Sequence, residues 1–234
     1  MLRDGVVVSI SKSYPSPTDQ ASIIERYKTL RLTGLKQDPQ SFSSTYDQEL
    51  QFPLEKWLAR MANPEARTLV ALKAGVNETP STPQDDIAAL LSRDWVGTLT
   101  TMGPKSLQAD DFRSTAPWTL FTNPHSHAPS RGGSKTGCVY MLAGMFVVQE
   151  ERRNGHGRRL VEKAVQNAYN EAEQAHADRL FVVALVNPEN QSACALYAAC
   201  GFEIWDGEVA MEGGGAIETC VAMVLEKGLT KGVS

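Results

Sequence analysis

A group of charged residues and glycines, placed between two apolar stretches, could bind a negatively charged ligand. Val139 to Val148 is an unbroken apolar run, and Arg152-Arg153-Asn154-Gly155-His156-Gly157 follows it shortly afterwards. The sequence predicts a buried strand, a glycine turn and then a helix. The apolar residues of that helix recur at the spacing of one face, namely Leu160, Val161, Ala164, Val165, Ala168, Tyr169 and Ala172.

This arrangement suits an anion because the first amides of a helix have no hydrogen-bond partners within the helix. The helix dipole adds roughly 0.3–1 kcal/mol for a negative charge near the N-terminus. Gly155 and Gly157 remove side chains that would keep a phosphate away from those amides. We therefore expect a phosphate-binding loop at this point of the chain.

Two common phosphate-binding loops do not fit these residues. A P-loop requires a lysine and then serine or threonine after its last glycine, whereas Arg158 and Arg159 stand here. A dinucleotide-binding fingerprint requires three glycines, and Arg152 occupies the place of the first. The pattern that remains is Arg152-x-x-Gly155-x-Gly157 at the end of a strand.

This pattern resembles the acetyl-CoA pyrophosphate loop of the GNAT-type N-acetyltransferases, usually written Arg/Gln-x-x-Gly-x-Gly/Ala. A second family signature follows an apolar strand from Leu180 to Val186, in the family's order and at its usual separation. Asn190 is a suitable N-cap for the short helix there, and Gly201 would end it. The signature reads Asn190-x-x-Ala193-x-x-Leu196-Tyr197-x-x-x-Gly201-Phe202. On these two motifs the chain is identified as a member of the GNAT-type family.

The resemblance implies that acetyl-CoA is the cosubstrate. The amides from Arg153 to Arg158 would bind its pyrophosphate, and the side chains of Arg152 and Arg158 would add charge-assisted contacts. Gly144 would mark a bulge where the strand separates from its neighbour and offers its main chain to the pantetheine arm. The alternative is that the strand residues are only core. The predicted cofactor contacts are Met145, Phe146, Val147, Arg152, Arg153, Asn154, Gly155, His156, Gly157, Arg158 and Asn190.

Tyr197 is the predicted catalytic residue, because the tyrosine of this signature faces the CoA sulfur in the family. A tyrosine with a pKa near ~10 is neutral at pH 7 and can donate a hydrogen bond. Full proton transfer to a thiolate whose thiol has a pKa near ~8.5 is uphill by roughly 2 kcal/mol. We therefore expect Tyr197 to stabilise the thiolate by a hydrogen bond; the alternative is that it only packs in the core.

The sequence identifies no general base. Ribosomal-protein alanine acetyltransferases of the family carry a glutamate in the second core strand, and Leu185 stands at that position here. Acetylation of ribosomal proteins or of protein N-termini is therefore disfavoured. The remaining candidates for the base are Asp47, Glu49, His125, His127 and a water molecule.

The predicted reaction is acetyl transfer to a primary amine, and we expect a small-molecule acceptor. Neither an acidic trough nor a basic groove for a macromolecule can be found in the sequence. Two alternatives stay open: acetylation of protein lysines or N-terminal amines, and a non-catalytic acyl-CoA-binding sensor, which the missing base suggests.

Composition limits the class of protein. The chain has 234 residues, of which 42% are hydrophobic and 21% charged, as in one ordinary globular domain. Its net charge of −4 argues against nucleic acid or an anionic membrane as partner. The four cysteines lack metal-ligand spacing, and His125 with His127 lacks further ligands, so no metal site is expected. Without a signal peptide or a membrane-length apolar run, we expect a cytoplasmic protein, either monomer or homodimer.

The remaining segments predict a mixed α/β (α+β) fold, a single domain over 1–234 with its core in 5–103 and 138–227. The resemblance implies a central, mostly antiparallel sheet of six to seven strands with one splayed pair and helices on both faces. A first helix is expected to be capped by Thr18 or Asp19, and a second to start at Pro53. Further strands are expected at Val6–Ser9, Thr68–Leu72, Trp95–Thr101, Phe202–Trp205 and Thr219–Leu225.

The segment from Pro104 to Gly137 shows little periodicity and is predicted to be a flexible surface insertion. The alternative is a lid over the acceptor site, with apolar contacts from Phe112, Trp118 and Phe121. A second exposed loop is expected from Gly75 to Asp86. The sequence Arg31-Leu32-x-x-Leu35-x-x-Asp38-Pro39-x-x-Phe42 resembles the first-helix region of one GNAT subset, in which a Phe-containing loop runs toward the acceptor pocket.

Overall fold

The computed structural model describes residues 5–73, 82–108, 115–123, 136–213 and 216–229. Several predictions fall outside these residues. They concern Phe112, His125, His127 and most of the loop expected from Gly75 to Asp86.

Seven strands form one sheet. They are β1 (Val6–Ser9), β2 (Ala66–Leu72), β3 (Trp95–Gln108), β4 (Thr136–Val147), β5 (Arg179–Val186), β6 (Glu203–Gly213) and β7 (Ala216–Gly228). Their order in the sheet is β1-β2-β3-β4-β5-β7-β6. β1 with β2, β5 with β7 and β6 with β7 pair antiparallel, whereas β4 and β5 pair parallel. The predicted mixed α/β fold with a mostly antiparallel sheet is confirmed.

The described helices are α1 (Pro17–Gln37), α2 (Tyr46–Leu50), α3 (Leu54–Ala62), α4 (Pro83–Ser92), α5 (Thr119–Thr122), α6 (His156–Gln174) and α7 (Gln191–Ala199). Short 3-10 helices occur at Pro39–Ser41 and Gln149–Glu151. Of the helices in the described ranges, none has both the length and the apolar character needed to cross a membrane.

Two helix starts differ from the predictions, and proline is involved in both. The N-cap of α1 is Ser16, whose hydroxyl accepts the Asp19 amide at 3.1 Å, so the prediction of Thr18 or Asp19 as cap is wrong. The N-cap of α4 is Thr82, which forms a capping box with Asp85, so the predicted loop does not extend to Asp86. In both cases a proline opens the helix, where its missing N–H removes no helical hydrogen bond.

The segment after Thr101 also differs from the prediction. β3 continues through Gly103 and Pro104 to Gln108, so no loop begins at Pro104. Trp118 is buried in the same hydrophobic cluster as Leu107, Val139 and Phe181 and therefore belongs to the core instead of a lid. The prediction of a surface insertion is wrong for these described parts. β4, moreover, ends at Val147, and most of its residues after Leu142 are only half-buried.

The chain divides into two compact units, which are described separately. Unit 1 comprises Met1–Thr101 and Gly144–Val161, and unit 2 comprises Met102–Ala143 and Glu162–Ser234. The core of unit 1 joins β1 and β2 to α1, α3 and α4 through Val8, Ile23, Ile24, Trp57, Val70, Leu72 and Leu90. The core of unit 2 contains Leu107, Trp118, Val139, Phe181, Val183, Ala222 and Val224. The assignment of all 234 residues to one domain stays a prediction.

Candidate active site

The predicted phosphate-binding segment, Arg152–Arg158, lies in unit 1 between the end of β4 and the first turns of α6; we call it the phosphate loop. Arg153 and Gly155 adopt left-handed backbone angles, with φ of 66° and 80°. Only a few per cent of non-glycine residues adopt this conformation, so Arg153 marks a sharply turned main chain. The first backbone hydrogen bond of α6 runs from the Arg159 amide to the Gly155 carbonyl at 3.1 Å. The amides of His156 and Gly157 lie before it, at the N-terminus of the helix.

The buried side chain of Glu151 contacts two residues of the phosphate loop. Its carboxylate lies 2.6 Å from Lys73 Nζ, accepts a hydrogen bond from Asn154 Nδ2 at 3.1 Å, and lies 3.7 Å from His156 Nε2. The hydrogen bond from Lys73 holds the pKa of Glu151 below its usual range, so the carboxylate is charged at neutral pH. The Asn154 side chain therefore faces Glu151, and a ligand contact from Asn154 would come from its main chain.

His156 is buried, and its ring is a structural part of the loop. Burial, together with the charge of Arg159, lowers the pKa of His156, so the imidazole is neutral at pH 7. Arg159 Nη2 lies 3.1 Å from His156 Nδ1 and donates to the Asn154 carbonyl at 3.0 Å. A Cβ on Gly5 would lie only 2.8 Å from Arg159 and 2.9 Å from His156, so both side chains are closely packed. The predicted cofactor contact of His156 thus depends on its amide.

Arg152 is held by two contacts at the end of β4. Its Nε donates to the Val147 carbonyl at 3.0 Å, and its guanidinium forms an ion pair with Asp38, the residue that ends α1. Asp38 therefore balances part of the positive charge that was predicted to contact the pyrophosphate. Sequence reasoning missed this pair because Asp38 is distant in the chain and no motif connects the two residues.

Phe146, near the end of β4, is closely surrounded by glycines of neighbouring elements. A Cβ on Gly34 of α1 would lie 3.0 Å from the Phe146 ring, and a Cβ on Gly97 of β3 would lie 2.8 Å from the Phe146 carbonyl oxygen. The approach at Gly97 requires a residue without a side chain, and a side chain at position 34 would require the Phe146 ring to move by a few tenths of an ångström. The end of β4 is therefore fixed in position by α1 and β3.

The strand contacts predicted for the cofactor can be narrowed by the direction of the main chain. The Val148 amide donates to the Val96 carbonyl of β3 at 2.9 Å. Alternate residues of a β-strand direct their main-chain groups to the same neighbouring strand, so the main chain of Phe146 also faces β3. The main chain of Met145 and Val147 faces the opposite way. These are the two strand residues that we retain for cofactor binding.

Gly144 has the conformation expected of a bulge. Its φ is 62°, in the left-handed region that favours glycine. Within unit 2, the parallel pairs of β4 and β5 run from Gly137 with Arg179 to Leu142 with Ala184. The described pairing thus ends shortly before Gly144, whereas β4 itself continues to Val147.

Tyr197, the predicted catalytic residue, lies on α7 in unit 2. Asn190 caps this helix as predicted, accepting the Ala193 amide at 3.0 Å. The Tyr197 side chain is buried, and its ring centroid lies 5.3 Å from that of Phe202. Burial, with a smaller contribution from Cys200, raises the pKa of Tyr197 above its ordinary value. The hydroxyl therefore stays protonated, and it can donate a hydrogen bond but cannot act as a base.

Glu49, a candidate base in the sequence, has a different role. Its fully buried carboxylate accepts two hydrogen bonds each from Arg31 and Arg60, at 2.7–3.1 Å, and another from Ser44. Burial alone would raise the pKa of Glu49, but these hydrogen bonds lower it to about 2. So acidic a carboxyl group is a weak base, which makes Glu49 a poor candidate for the general base. Asp47, in the same helix, is exposed.

Metal ligands were not expected from the sequence. Within the described ranges, no three histidine, cysteine or acidic side chains lie close enough together to hold a metal ion. All four cysteines are free thiols, and Cys138 is buried.

Comparison with known families connects these features. Residues 118–202 match the family model described as the acetyltransferase (GNAT) family. The resemblance to the GNAT-type acetyltransferases that the sequence motifs predicted is therefore confirmed over these residues. The matched part contains the phosphate loop and α7, and it begins at Trp118, inside the segment that was predicted to be a surface insertion. A comparison with curated proteins finds no significant match.

Several solved structures share the fold of this chain. NAA60 of Arabidopsis thaliana in complex with acetyl-CoA gives a TM-score of 0.54 at 14% identity, covering 95% of this chain and 98% of NAA60. The same protein with a bisubstrate analogue gives 0.51 at 12% identity, covering 94% and 98%. A GNAT-family acetyltransferase from Streptococcus pneumoniae gives 0.54 at 16% identity, covering 96% and 100%. At such low identities the likeness shows the fold alone.

Proposed function

We propose that this chain transfers the acetyl group of acetyl-CoA to a primary amine of a small molecule. The observation that carries the proposal is the phosphate loop of unit 1. Left-handed Arg153 and Gly155 lead the main chain into α6, and the first turn of α6 contains no acidic residue. The amides from Arg153 to Arg158 would bind the pyrophosphate, as anions bind at helix N-termini generally.

The rest of the cofactor would follow β4. The main chain of Met145 and the amide of Val147 would pair with the pantetheine arm, since the Val147 carbonyl accepts a hydrogen bond from Arg152 Nε. Asn190 would add a contact from α7. Arg152, oriented by Asp38 and Val147, would contribute charge near the pyrophosphate together with Arg158. Because Met145 precedes Val147 and the loop, the arm would run from the loop back toward Gly144.

The chemistry requires a neutral amine and a stabilised leaving group. The amine lone pair attacks the thioester carbon, the C–N bond forms and the C–S bond breaks. The proton of the new ammonium leaves to water, since Leu185 stands where an acidic residue would serve as base. The Tyr197 hydroxyl would donate a hydrogen bond to the CoA thiolate, which finally takes its proton from solvent. Its raised pKa favours hydrogen bonding over proton transfer.

Thiol release from acetyl-CoA, measured over a panel of small amines and of lysine and N-terminal peptides, tests this proposal. We expect release with small primary amines. The rate should rise with pH, because an amine with a pKa near ~10.4 is only about one part in 10³ neutral at pH 7. Release with peptides alone would support a protein acetyltransferase instead. Tight CoA binding in calorimetry without release from any acceptor would support the sensor.

Tyr197→Phe separates a catalytic role from a packing role. The ring is retained, so the melting temperature should stay within a few degrees. Loss of one well-placed donor typically costs about 10²–10³-fold in kcat, and we expect a loss of about 10²-fold with little change in KM for acetyl-CoA. Tyr169→Phe, which removes a hydroxyl from α6, is the matched control and should retain full activity. An unchanged kcat in the Tyr197 variant would leave this residue as core.

A further inference from the structure

One face of α1 follows β4 from the phosphate loop to the bulge. At the end of α1, Asp38 pairs with Arg152 of the loop. One turn earlier, Gly34 accepts the Phe146 ring, and one further turn earlier Arg31 Nη1 lies 3.7 Å from the position that a Cβ on Gly144 would take. All of these residues belong to unit 1. At 1.5 Å per residue, the distance along the helix from Asp38 to Arg31 is about 10 Å.

This geometry places Arg31 relative to the reaction, on the basis of the proposed function. If the pyrophosphate lies at the phosphate loop and the pantetheine arm lies along Val147 and Met145, the thioester end of the cofactor lies toward Gly144. Arg31 is the charged side chain of α1 beside that point. The amine acceptor must also reach the thioester there.

The guanidinium of Arg31 is fixed in orientation, but one of its nitrogens is unused. Nε and Nη2 donate to Glu49 at 3.1 and 2.8 Å, and Nη2 lies 3.3 Å from Ser44 Oγ. The Phe42 ring centroid lies 4.4 Å from Arg31 Cζ. Nη1, the nitrogen nearest to Gly144, donates to no residue in the described part of the chain. The side chain is only 14% exposed.

The cluster of Glu49, Arg31, Arg60 and Ser44, which we call the Glu49 cluster, carries a net positive charge. One carboxylate faces two guanidinium groups. The Arg60 guanidinium lies against the rings of Phe52 and Trp57, at 5.3 and 5.2 Å from their centroids, so its surroundings differ from those of Arg31. An excess charge with little exposure costs free energy unless an anion compensates it. The planar guanidinium fork suits a carboxylate in particular.

We propose that Arg31 is a specificity-determining residue that binds a carboxylate of the acceptor through Nη1. The acceptor class is then amines that carry a carboxylate, such as amino acids. Glu49 is the positioning residue that holds the guanidinium in this direction. A hydrogen bond from Arg31 to the thioester carbonyl is the competing role, and it would affect every acceptor equally.

Amino acids and their amides, which differ in the carboxylate, test the proposal with two variants. Arg31→Gln and Arg60→Gln each remove one guanidinium from Glu49, but only Arg31 lies beside Gly144. We expect Arg31→Gln to lower the kcat/KM preference for acid over amide by at least about 10-fold, mainly through KM for the acid. Arg60→Gln should leave that preference unchanged. Comparing each variant with the wild type on the same pair cancels the different amine pKa values of acid and amide.

The outcomes distinguish this inference from the proposed function. Equal losses with acid and amide in Arg31→Gln would overturn the role of Arg31 while acetyl transfer stands. If none of the amines gives thiol release, the proposed function itself is wrong. Calorimetry of CoA binding shows whether each variant is folded. If Arg31→Gln is not folded, Arg31→Lys retains the charge without the fork; we expect its preference to fall about 3-fold or more, and an unchanged preference would overturn the proposal.

Discussion

Unit 1 contains two buried carboxylates with different surroundings. Glu151 contacts one lysine, Lys73, whose side chain is half exposed, and otherwise faces Asn154 and His156. Glu49 contacts two arginines and is fully buried. The contacts of Glu151 determine the course of the main chain in the phosphate loop. Those of Glu49 determine the direction of one side chain, Arg31.

This difference predicts how each network responds to change. An ion pair with an exposed partner is weak and is screened by salt. A buried pair contributes little when complete, but removal of one partner leaves an uncompensated charge and is strongly destabilising. Changes at the phosphate loop should therefore affect ligand binding, whereas changes in the Glu49 cluster should affect folding as well.

Gly157→Glu should give the largest effect, because it acts on the main-chain site itself. It adds a side chain and a negative charge where the pyrophosphate is proposed to bind, and we expect CoA affinity in calorimetry to fall by about 10³-fold or more while the fold is retained. Gly207→Glu is the matched control, since a Cβ at Gly207 meets nothing within 4 Å. CoA binding that is unchanged in folded Gly157→Glu protein would contradict the assignment of the loop.

Glu49→Gln should lower stability strongly. It removes the negative charge that two arginines share, and breaking such a buried pair typically costs about 3–5 kcal/mol. Urea unfolding followed by circular dichroism measures the change. Asp47→Asn, at an exposed carboxylate of the same helix, should stay within about 0.5 kcal/mol of the wild type. A loss below about 1 kcal/mol in Glu49→Gln would show that the cluster is not a stabilising element.

The pH dependence of unfolding provides a separate test of Glu49. Its pKa is about 2 in the folded protein and ordinarily 4.5, so the unfolded chain binds this proton first as the pH falls. The resulting stabilisation is complete above pH 4.5 and is lost as the pH falls toward 2; at 1.36 kcal/mol per unit it amounts to about 3 kcal/mol. In Glu49→Gln this part of the acid dependence should disappear. Parallel acid curves for variant and wild type would contradict the lowered pKa.

Glu151→Gln should produce the smallest of these effects. It weakens the contacts to Lys73 and Asn154, and we expect CoA affinity to fall by about 10-fold at low salt and by less at high salt. The melting temperature should change less than in Glu49→Gln. Glu150→Gln, at an exposed neighbour, is the control and should bind CoA normally. A stability loss in Glu151→Gln as large as that in Glu49→Gln would remove the distinction between the two networks.

The phosphate loop could be predicted from the sequence because its parts are adjacent in the chain. An apolar strand, Gly155, Gly157 and an amphipathic helix lie within one short segment, and local spacing is sufficient to identify them. The Glu49 cluster could not be predicted, since Arg31, Glu49 and Arg60 come from three helices and each has the appearance of a surface charge. The same reason explains why the Asp38 contact to Arg152 was missed.

Proline and threonine explain the other errors in the fold. Thr82 and Pro83 were interpreted as loop residues, although the same residues are typical of a helix start. The strand was expected to end at Thr101 and a loop to begin at Pro104, yet β3 continues through this proline to Gln108. A residue type that favours two structures equally cannot decide between them without its tertiary contacts.

The close packing around Phe146 has a consequence for how the chain can vary. With glycine at 34 against the ring and glycine at 97 against the carbonyl, the end of β4 has almost no positional freedom. The phosphate loop follows this end of the strand, so its position depends on the packing of β4 between α1 and β3. A larger residue at 34 would shift the loop unless position 146 became smaller too, whereas a larger residue at 97 would meet a main-chain carbonyl that every residue at 146 retains. Across natural relatives and in engineered libraries, positions 34 and 146 should therefore covary, and glycine at 97 should rarely be replaced.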